Sequence, residues 1–465
     1  MKVSSLLRHK VVQAGSWYIV TNIFVKGIGF LTIPIFTRIL SVEDYGIVAV
    51  YTAWVGILSV FMSLDLIWSV NLGKVDFKQK FDDYISSVLT LSLLLFSIFG
   101  ILMVLLHNPI SSFIDINGPI YFFMIIHAYF LFVQRFALAK FRVEYKYKLV
   151  SITSIFAALV GVLISIYLIN RVFINQEYVG KILGGGFVII VLGIGYTIYF
   201  FYKGNVFINT KYWKHALGIS TPFIFHNLAG IINSQFDRLV INQYSGAAAT
   251  GIYSFAYNIG MIILIVRTSF AQAYKPYFLE KAKLGNRERI LQSGVLIRDT
   301  FTILYALILF LSPEVIRIMA PEAFWEGLFI IPFIFIAYYF EFMTTFETYT
   351  QYYHRNTKYK ALGSLLAAGI NISLNLIFVP RYGYSAAAIT TAITFFILFT
   401  FHFAINRLII KDSMYGLRFH IRSIVYISLI TGTFFIIEDK LLLRIMVILL
   451  ASLYCAVNLR KYKLM

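Results

Sequence analysis

Three ionisable residues lie deep inside long apolar runs of the sequence, where a charge is tolerated only if it faces water, a partner or a ligand. Lys26 stands near the middle of the run 13–36, with Asn22 one helical turn earlier, so an amide and an ammonium share one face. Arg267 lies seven residues from the end of the run 249–274, roughly 10 Å deep at 1.5 Å per residue, on the face of Tyr253, Gly260 and Tyr274. Glu341 is mid-run in 328–350, the deepest carboxylate in the chain, with Tyr338, Thr345 and Thr348 on its face. At a bilayer centre such a charge costs about 2.5–3.5 kcal/mol on insertion scales. Lys26 with Asn22 reads as the wall of a polar cavity, or as a buried lysine paired with a carboxylate. Arg267 reads as a cavity cation or as a side chain reaching the headgroups. Glu341 could pair with Lys26, lowering the cost of both, or bind a coupling cation such as a proton or Na⁺. No other cofactor and no metal is implied.

The remaining polar residues within apolar runs carry weaker signals. Arg135 is five residues, about 8 Å, from the end of its run, where snorkelling and a cavity role are both open. Lys140, Lys181, Arg422 and Arg444 lie close enough to run ends to snorkel, and adjacent Arg298 and Asp299 read as an interfacial anchor. Asp65, Asp237 and Glu347 also read as interfacial. Ser220, His226, Asn227, Asn233 and Ser234 cluster on one face near Pro222, and Ser364, Asn371 and Asn375 line another. Singly such residues read as interhelical glue, but stripes on four helices suggest a water-filled lumen. His127 and His402 read as satisfied core or interfacial histidines.

The elements that must position these residues are membrane-spanning helices. Of 465 residues, 60% are hydrophobic and 13% charged, and the mean hydropathy is +0.80, which excludes a water-soluble globule. A formal charge of +19 would suggest a nucleic-acid partner in a soluble chain. Here it belongs to the cytoplasmic loops of a membrane protein, and no nucleic acid is expected. The single cysteine, Cys455, excludes an intrachain disulfide and a Cys-rich zinc site. Apolar runs long enough to cross about 30 Å of hydrocarbon fall at 13–36, 45–68, 84–106, 119–140, 149–169, 181–202, 216–236, 249–274, 292–312, 328–350, 361–379, 386–406, 421–437 and 441–458. These predict fourteen helices, twelve in a core and two in a hairpin. The basic start, Lys2, Arg8 and Lys10, leads into a helix rather than a cleaved signal.

Of the 40 Lys and Arg residues, 26 fall in the termini and the loops on their side, six in the opposite loops and eight within spans. That bias places both termini in the cytoplasm. The longest loops, 275–291 and 313–327, leave no room for a soluble catalytic or nucleotide-binding domain, which argues against an enzyme. No GxxxxGK[ST] occurs, and Gly184-Gly185-Gly186 reads as close helix packing or a flexible point rather than a phosphate loop.

Residues 29–51, GFLTIPIFTRILSVEDYGIVAVY, and 233–258, NSQFDRLVINQYSGAAATGIYSFAYN, look like the matching first units of the two lobes of a known family. In each, a helix ends outside and the next opens on Gly-Ile; PRYGYSAAAIT at 380–390 is a third small-residue entry. The chain resembles the polysaccharide and oligosaccharidyl-lipid flippases of the multidrug/oligosaccharidyl-lipid/polysaccharide exporter superfamily. That resemblance implies an all-α membrane protein of two six-helix lobes, 1–202 and 203–406, forming a V-shaped alternating-access transporter. A transmembrane hairpin and cytoplasmic tail, 407–465, would be appended. It also implies an undecaprenyl-diphosphate-linked oligosaccharide as substrate, with a polysaccharide polymerase and chain-length machinery as partners, in the cytoplasmic membrane. By helix and depth, Lys26 and Arg267 match cations near the diphosphate, with Arg135, Asn22 and Asn227 adding to the binding surface and Glu341 available for ion coupling. Lipid II flippases resemble the chain in having fourteen helices but carry additional arginines in the first two helices, and this second span has none. A drug/cation antiporter of the same superfamily would prefer an acidic lumen.

Overall fold

A computed structural model describes residues 2–116 and 118–450, all helix and connection with no strand among them. The elements are α1 (Lys2–Leu31), α2 (Ile33–Ile39), α3 (Val42–Phe61), α4 (Ser69–Asp76), α5 (Phe81–Leu105), α6 (His107–Ile114), α7 (Pro119–Val143), α8 (Tyr147–Arg171) and α9 (Glu177–Lys203). They continue as α10 (Thr210–Lys283), α11 (Arg287–Met319), α12 (Ile331–Tyr353), α13 (Lys358–Ala404) and α14 (Leu417–Ile437). A 3₁₀ stretch, Glu322–Ile330, precedes α12, and a π-helical turn, Ile405–Ile410, ends α13. Cys455, residues 451–458 of the last expected span and the side chain of His226 lie outside what is described.

Eleven stretches among the described residues are long and apolar enough to cross a membrane, against fourteen expected. The difference has a physical cause. Two of the eleven, Asn227–Lys283 and Lys358–Ile410, are 57 and 53 residues long. Each would extend about 80 Å, far beyond one hydrocarbon core. Each is broken at a glycine in a conformation closed to L side chains: Gly246 at φ 83° and Gly383 at φ 64°. The loops expected at 237–248 and 380–385 are thus reduced to kinks. On the other side, α10 runs on to Lys283, so the loop expected at 275–291 shrinks to three residues.

Helix starts follow local chemistry. At α3 the Ser41 hydroxyl accepts from the Asp44 amide at 3.0 Å while the Asp44 carboxylate accepts from the Ser41 amide at 3.3 Å, a reciprocal cap. At α11 the Asn286 side chain accepts from the Arg289 amide. Pro119 and Pro332 occupy first turns, where a missing N–H costs nothing.

The chain forms two compact units, Met1–Gln243 and Tyr244–Met465. In the first, α5 and α7 bury Tyr84, Val88, Tyr129, Phe132 and Phe136 in one core. The first half of α10 belongs to this unit. Its Trp213 donates to the Ser87 carbonyl at 2.9 Å, and its His215 lies 2.9 Å from Asp76 and 3.0 Å from the Tyr84 hydroxyl. Close packing accounts for two glycines of the triplet: a Cβ on Gly184 would sit 2.4 Å from the Ser165 amide nitrogen, so α8 and α9 touch backbone to backbone, and one on Gly186 would sit 2.6 Å from the Phe123 ring. In the second unit α12 packs along α13, with α11 and α14 alongside. Residues 407–450, the described part of the expected hairpin, fall within this unit.

Candidate functional site

In the second unit α10, α12 and α13 enclose a polar cavity of about 380 Å³. From α10 come Arg267, Ala271 and Lys275, at positions i, i+4 and i+8, which a 3.6-residue helix stacks on one face. From α12 come Glu341, Thr345, Thr348 and Tyr352, again one stripe. Lys360 and Ser364 enter from the start of α13, and His402 from its end.

At the inner end Arg267 Nη2 lies 3.1 Å from Glu341 Oε1, and both side chains are only partly exposed. Arg267 Nε is buried with no hydrogen-bond partner among the described residues. The wall holding this pair is braced by the Tyr349 hydroxyl, which donates to the Ala271 carbonyl at 2.6 Å and fixes α12 against α10. Eleven residues further along α12, about 16 Å at the helical rise, the Tyr352 ring carries two ammonium groups. Lys275 Nζ is 3.8 Å from the ring centroid; Lys360 Nζ is 5.4 Å from it and donates to the hydroxyl at 3.0 Å. The cavity thus holds three cations against one carboxylate. Its lining is net positive and its walls are rich in hydroxyl groups.

The expected site residues fall into three groups. Arg267 and Glu341 meet in the cavity just described, so Glu341 has its cation on the neighbouring helix α10. Arg135 and Asn227 converge around Asp65 in the first unit. Asn227 Nδ2 donates to Asp65 Oδ2, which also accepts from the Trp68 indole at 2.7 Å, and the Arg135 guanidinium interacts electrostatically with the same carboxylate while donating to Ser59 at 3.3 Å. Trp68 stacks on Phe223 of α10, ring centroids 4.5 Å apart. Asn227 is therefore committed to joining α10 to the turn after α3, where Leu64 and Asp65 both take positive φ. Lys26 and Asn22 form the third group: both are exposed on α1, while Thr21 beside them is buried and donates to Ser151 of α8.

Several charges read as interfacial are buried side chains with polar partners instead. Lys140 is 1% exposed and held by Asp82 at 2.9 Å and Glu144 at 2.5 Å. Arg444 is 2% exposed, bound to both Glu314 oxygens at 2.6 Å and donating to the Phe310 carbonyl. Arg298 is buried, bound to Asp299 at 2.6 Å and to the Phe419 carbonyl at 3.2 Å. Glu347 is buried against His420, 2.7 Å away, and accepts from Asn406 of the π-turn at 2.6 Å. Long side chains near a helix end can snorkel or fold inward, and a carboxylate on the next helix decides the outcome. Asn371 and Asn375 are glue: Asn375 accepts from Thr390 at 2.6 Å and donates to Asn371 at 3.2 Å.

Lys275, Lys360 and Tyr352 lie just outside the apolar runs, where hydropathy gives no reason to expect a site. The signal was present in the continuation of the Arg267 and Glu341 stripes by further helical turns past the hydrocarbon boundary.

Helices long and apolar enough to cross a membrane, two of them broken at a glycine, with a polar cavity among α10, α12 and α13, describe a multi-pass membrane protein. Residues 11–281, more than half the chain, match the profile of the polysaccharide biosynthesis protein family, and the chain belongs to that family. No curated protein matches the sequence. Among solved structures, the lipid II flippase MurJ in an inward closed conformation superposes with a TM-score of 0.72 at 15% identity, covering 96% of this chain and 99% of that one. An inward-facing multidrug resistance MATE family transporter of the MOP superfamily superposes with a TM-score of 0.60 at 15% identity, covering 83% of this chain and 94% of that one. The fold is the one these two structures share, and by family the chain is a multi-pass membrane protein of polysaccharide biosynthesis.

Proposed function

We propose that the protein carries undecaprenyl-diphosphate-linked oligosaccharide repeat units from the inner to the outer leaflet of the cytoplasmic membrane, for O-antigen, capsule or exopolysaccharide synthesis. One observation supports this most directly: a cavity lined by Arg267, Lys275 and Lys360 against the single carboxylate of Glu341. A net-positive, hydroxyl-rich pocket suits a diphosphate and its first sugars and disfavours a cationic drug. Family membership is consistent with this substrate class. The transporter works by alternating access of two lobes, with both termini in the cytoplasm as the Lys/Arg bias requires. Arg267 neutralises the diphosphate in the second lobe, Lys26 with Asn22 and Arg135 add positive and polar surface in the first, and Glu341 either exchanges with the phosphate for Arg267 or binds a coupling proton or Na⁺.

The resemblance in fold to a lipid II flippase keeps lipid II, which shares the diphosphate and the lipid, as a second reading. Deletion of the gene in its host separates the two. Repeat-unit transport requires cytoplasmic accumulation of lipid-linked oligosaccharide with loss of surface polymer and intact peptidoglycan; accumulation of lipid II would assign the second reading. Unchanged lipid intermediates with altered drug susceptibility would overturn both.

A further inference from the structure

The two lysines over Tyr352 form a site of their own. Both ammonium groups lie within 5.4 Å of one ring centroid, and neither has a carboxylate partner among the described residues. The aromatic ring attracts each ammonium group but carries no negative charge to neutralise either. The arrangement is thus electrostatically incomplete in a way the Arg267–Glu341 pair is not. The positions along the helices differ as well. Tyr352 is the penultimate residue of α12 and Lys360 the third of α13, so this site lies at the mouth of the cavity, on the side the Lys/Arg bias assigns to the cytoplasm. Arg267 sits two turns inward of Lys275 on α10, about 12 Å along the axis. The inner pair carries its own counter-ion; the outer pair is open.

We propose that Lys275, Tyr352 and Lys360 form a capture station for a phosphate-bearing headgroup, separate from the inner station at Arg267. This rests on reading the cavity as an anion site. An anion meets the outer ammonium groups first, drawn by their field, and passes inward by displacing Glu341 from Arg267. Capture then governs how fast an anion arrives, whereas Arg267 governs how long it stays.

The test is association and dissociation of inorganic pyrophosphate and of undecaprenyl diphosphate with the full chain in lipid nanodiscs, over a range of salt. The double variant Lys275→Gln/Lys360→Gln is expected to associate at least about fivefold more slowly than wild type with a flattened salt dependence and an unchanged dissociation rate. Arg267→Gln should keep the association rate and dissociate faster, and Lys275→Arg/Lys360→Arg should restore rapid capture. Lysine dependence with both probes supports a station that reads phosphate alone; dependence with the lipid only supports one that reads a headgroup at the membrane surface. Wild-type association and salt slope in the double Gln variant would overturn the station while leaving the cavity reading intact. A wild-type chain that binds neither probe would overturn the cavity reading and the station together. Melting temperature measured alongside removes misfolded variants, and the Arg pair then supplies the informative comparison.

Discussion

On the proposed reading Glu341 competes with a phosphate for Arg267, and replacing it with glutamine separates a competitor from a structural partner. Its carboxylate lies 3.1 Å from the Arg267 guanidinium. At that distance an effective dielectric constant of about 20 gives roughly 5 kcal/mol of gross attraction. Both groups are partly hydrated, at 15% and 26% exposure, so most of this is screened and about 1–2 kcal/mol remains for an incoming anion to overcome. Glu341→Gln removes that competition while keeping the shape, so pyrophosphate affinity should rise about 5- to 30-fold. Arg267→Gln should lower it. Folding should change little in Glu341→Gln, because the remaining guanidinium faces a wet cavity. Transport of a lipid diphosphate in proteoliposomes should slow in Glu341→Gln, since release then lacks the carboxylate that reclaims Arg267. Isothermal titration of the full chain in nanodiscs reads the affinity. Weaker or unchanged pyrophosphate binding in Glu341→Gln would refute the exchange, and if transport in that variant also lost a dependence on a proton or Na⁺ gradient, Glu341 would be the coupling group instead.

Lys26→Ala should reduce lipid-diphosphate transport more than Lys26→Arg, which keeps the charge; transport intact in both Lys26→Ala and Arg267→Ala would defeat the cationic-lumen proposal. Gly184→Ala should lower stability by about 1–3 kcal/mol, read as a fall in melting temperature, because its Cβ would meet the backbone of Ser165 at 2.4 Å. At the Arg444–Glu314 pair the two ends differ in burial, 2% against 31%. Glu314→Gln strands a fully buried guanidinium and should cost about 3–5 kcal/mol, whereas Arg444→Met leaves a carboxylate that water can reach and should cost less. Equal losses in thermal unfolding would contradict that ordering.

The helical fold was legible because lipid forces every spanning segment to satisfy its own backbone, so apolar runs of the right length become helices. What hydropathy does not carry is where a helix stops. Past Pro276, residues 279–283 (Leu279, Glu280, Lys281, Ala282 and Lys283) are good helix formers of which three are charged, so apolarity ends near the hydrocarbon edge while α10 continues beyond it. The converse holds at Gly246 and Gly383, where a single residue at positive φ breaks a helix that composition alone would bridge by a loop.

The same boundary explains what was and was not visible of the site. Arg267 and Glu341 stood out one by one because depth alone makes a charge expensive, but their meeting depends on how α10 and α12 are rotated about their axes, which one sequence does not specify. Lys275 and Lys360 were hidden for the opposite reason: near the headgroups a lysine is cheap, so its presence demanded no explanation. Only the neighbours distinguish them from ordinary loop lysines, since both ammonium groups approach one ring with no carboxylate among the described residues. Asp65 shows how a depth signal can mislead. Asn227 looked like a lumen amide, yet its donor is spent on a carboxylate that the turn at Leu64 and Asp65 directs back onto α10. A polar stripe therefore marks a place where helices meet something polar, and only the partner decides whether that is a substrate or another helix.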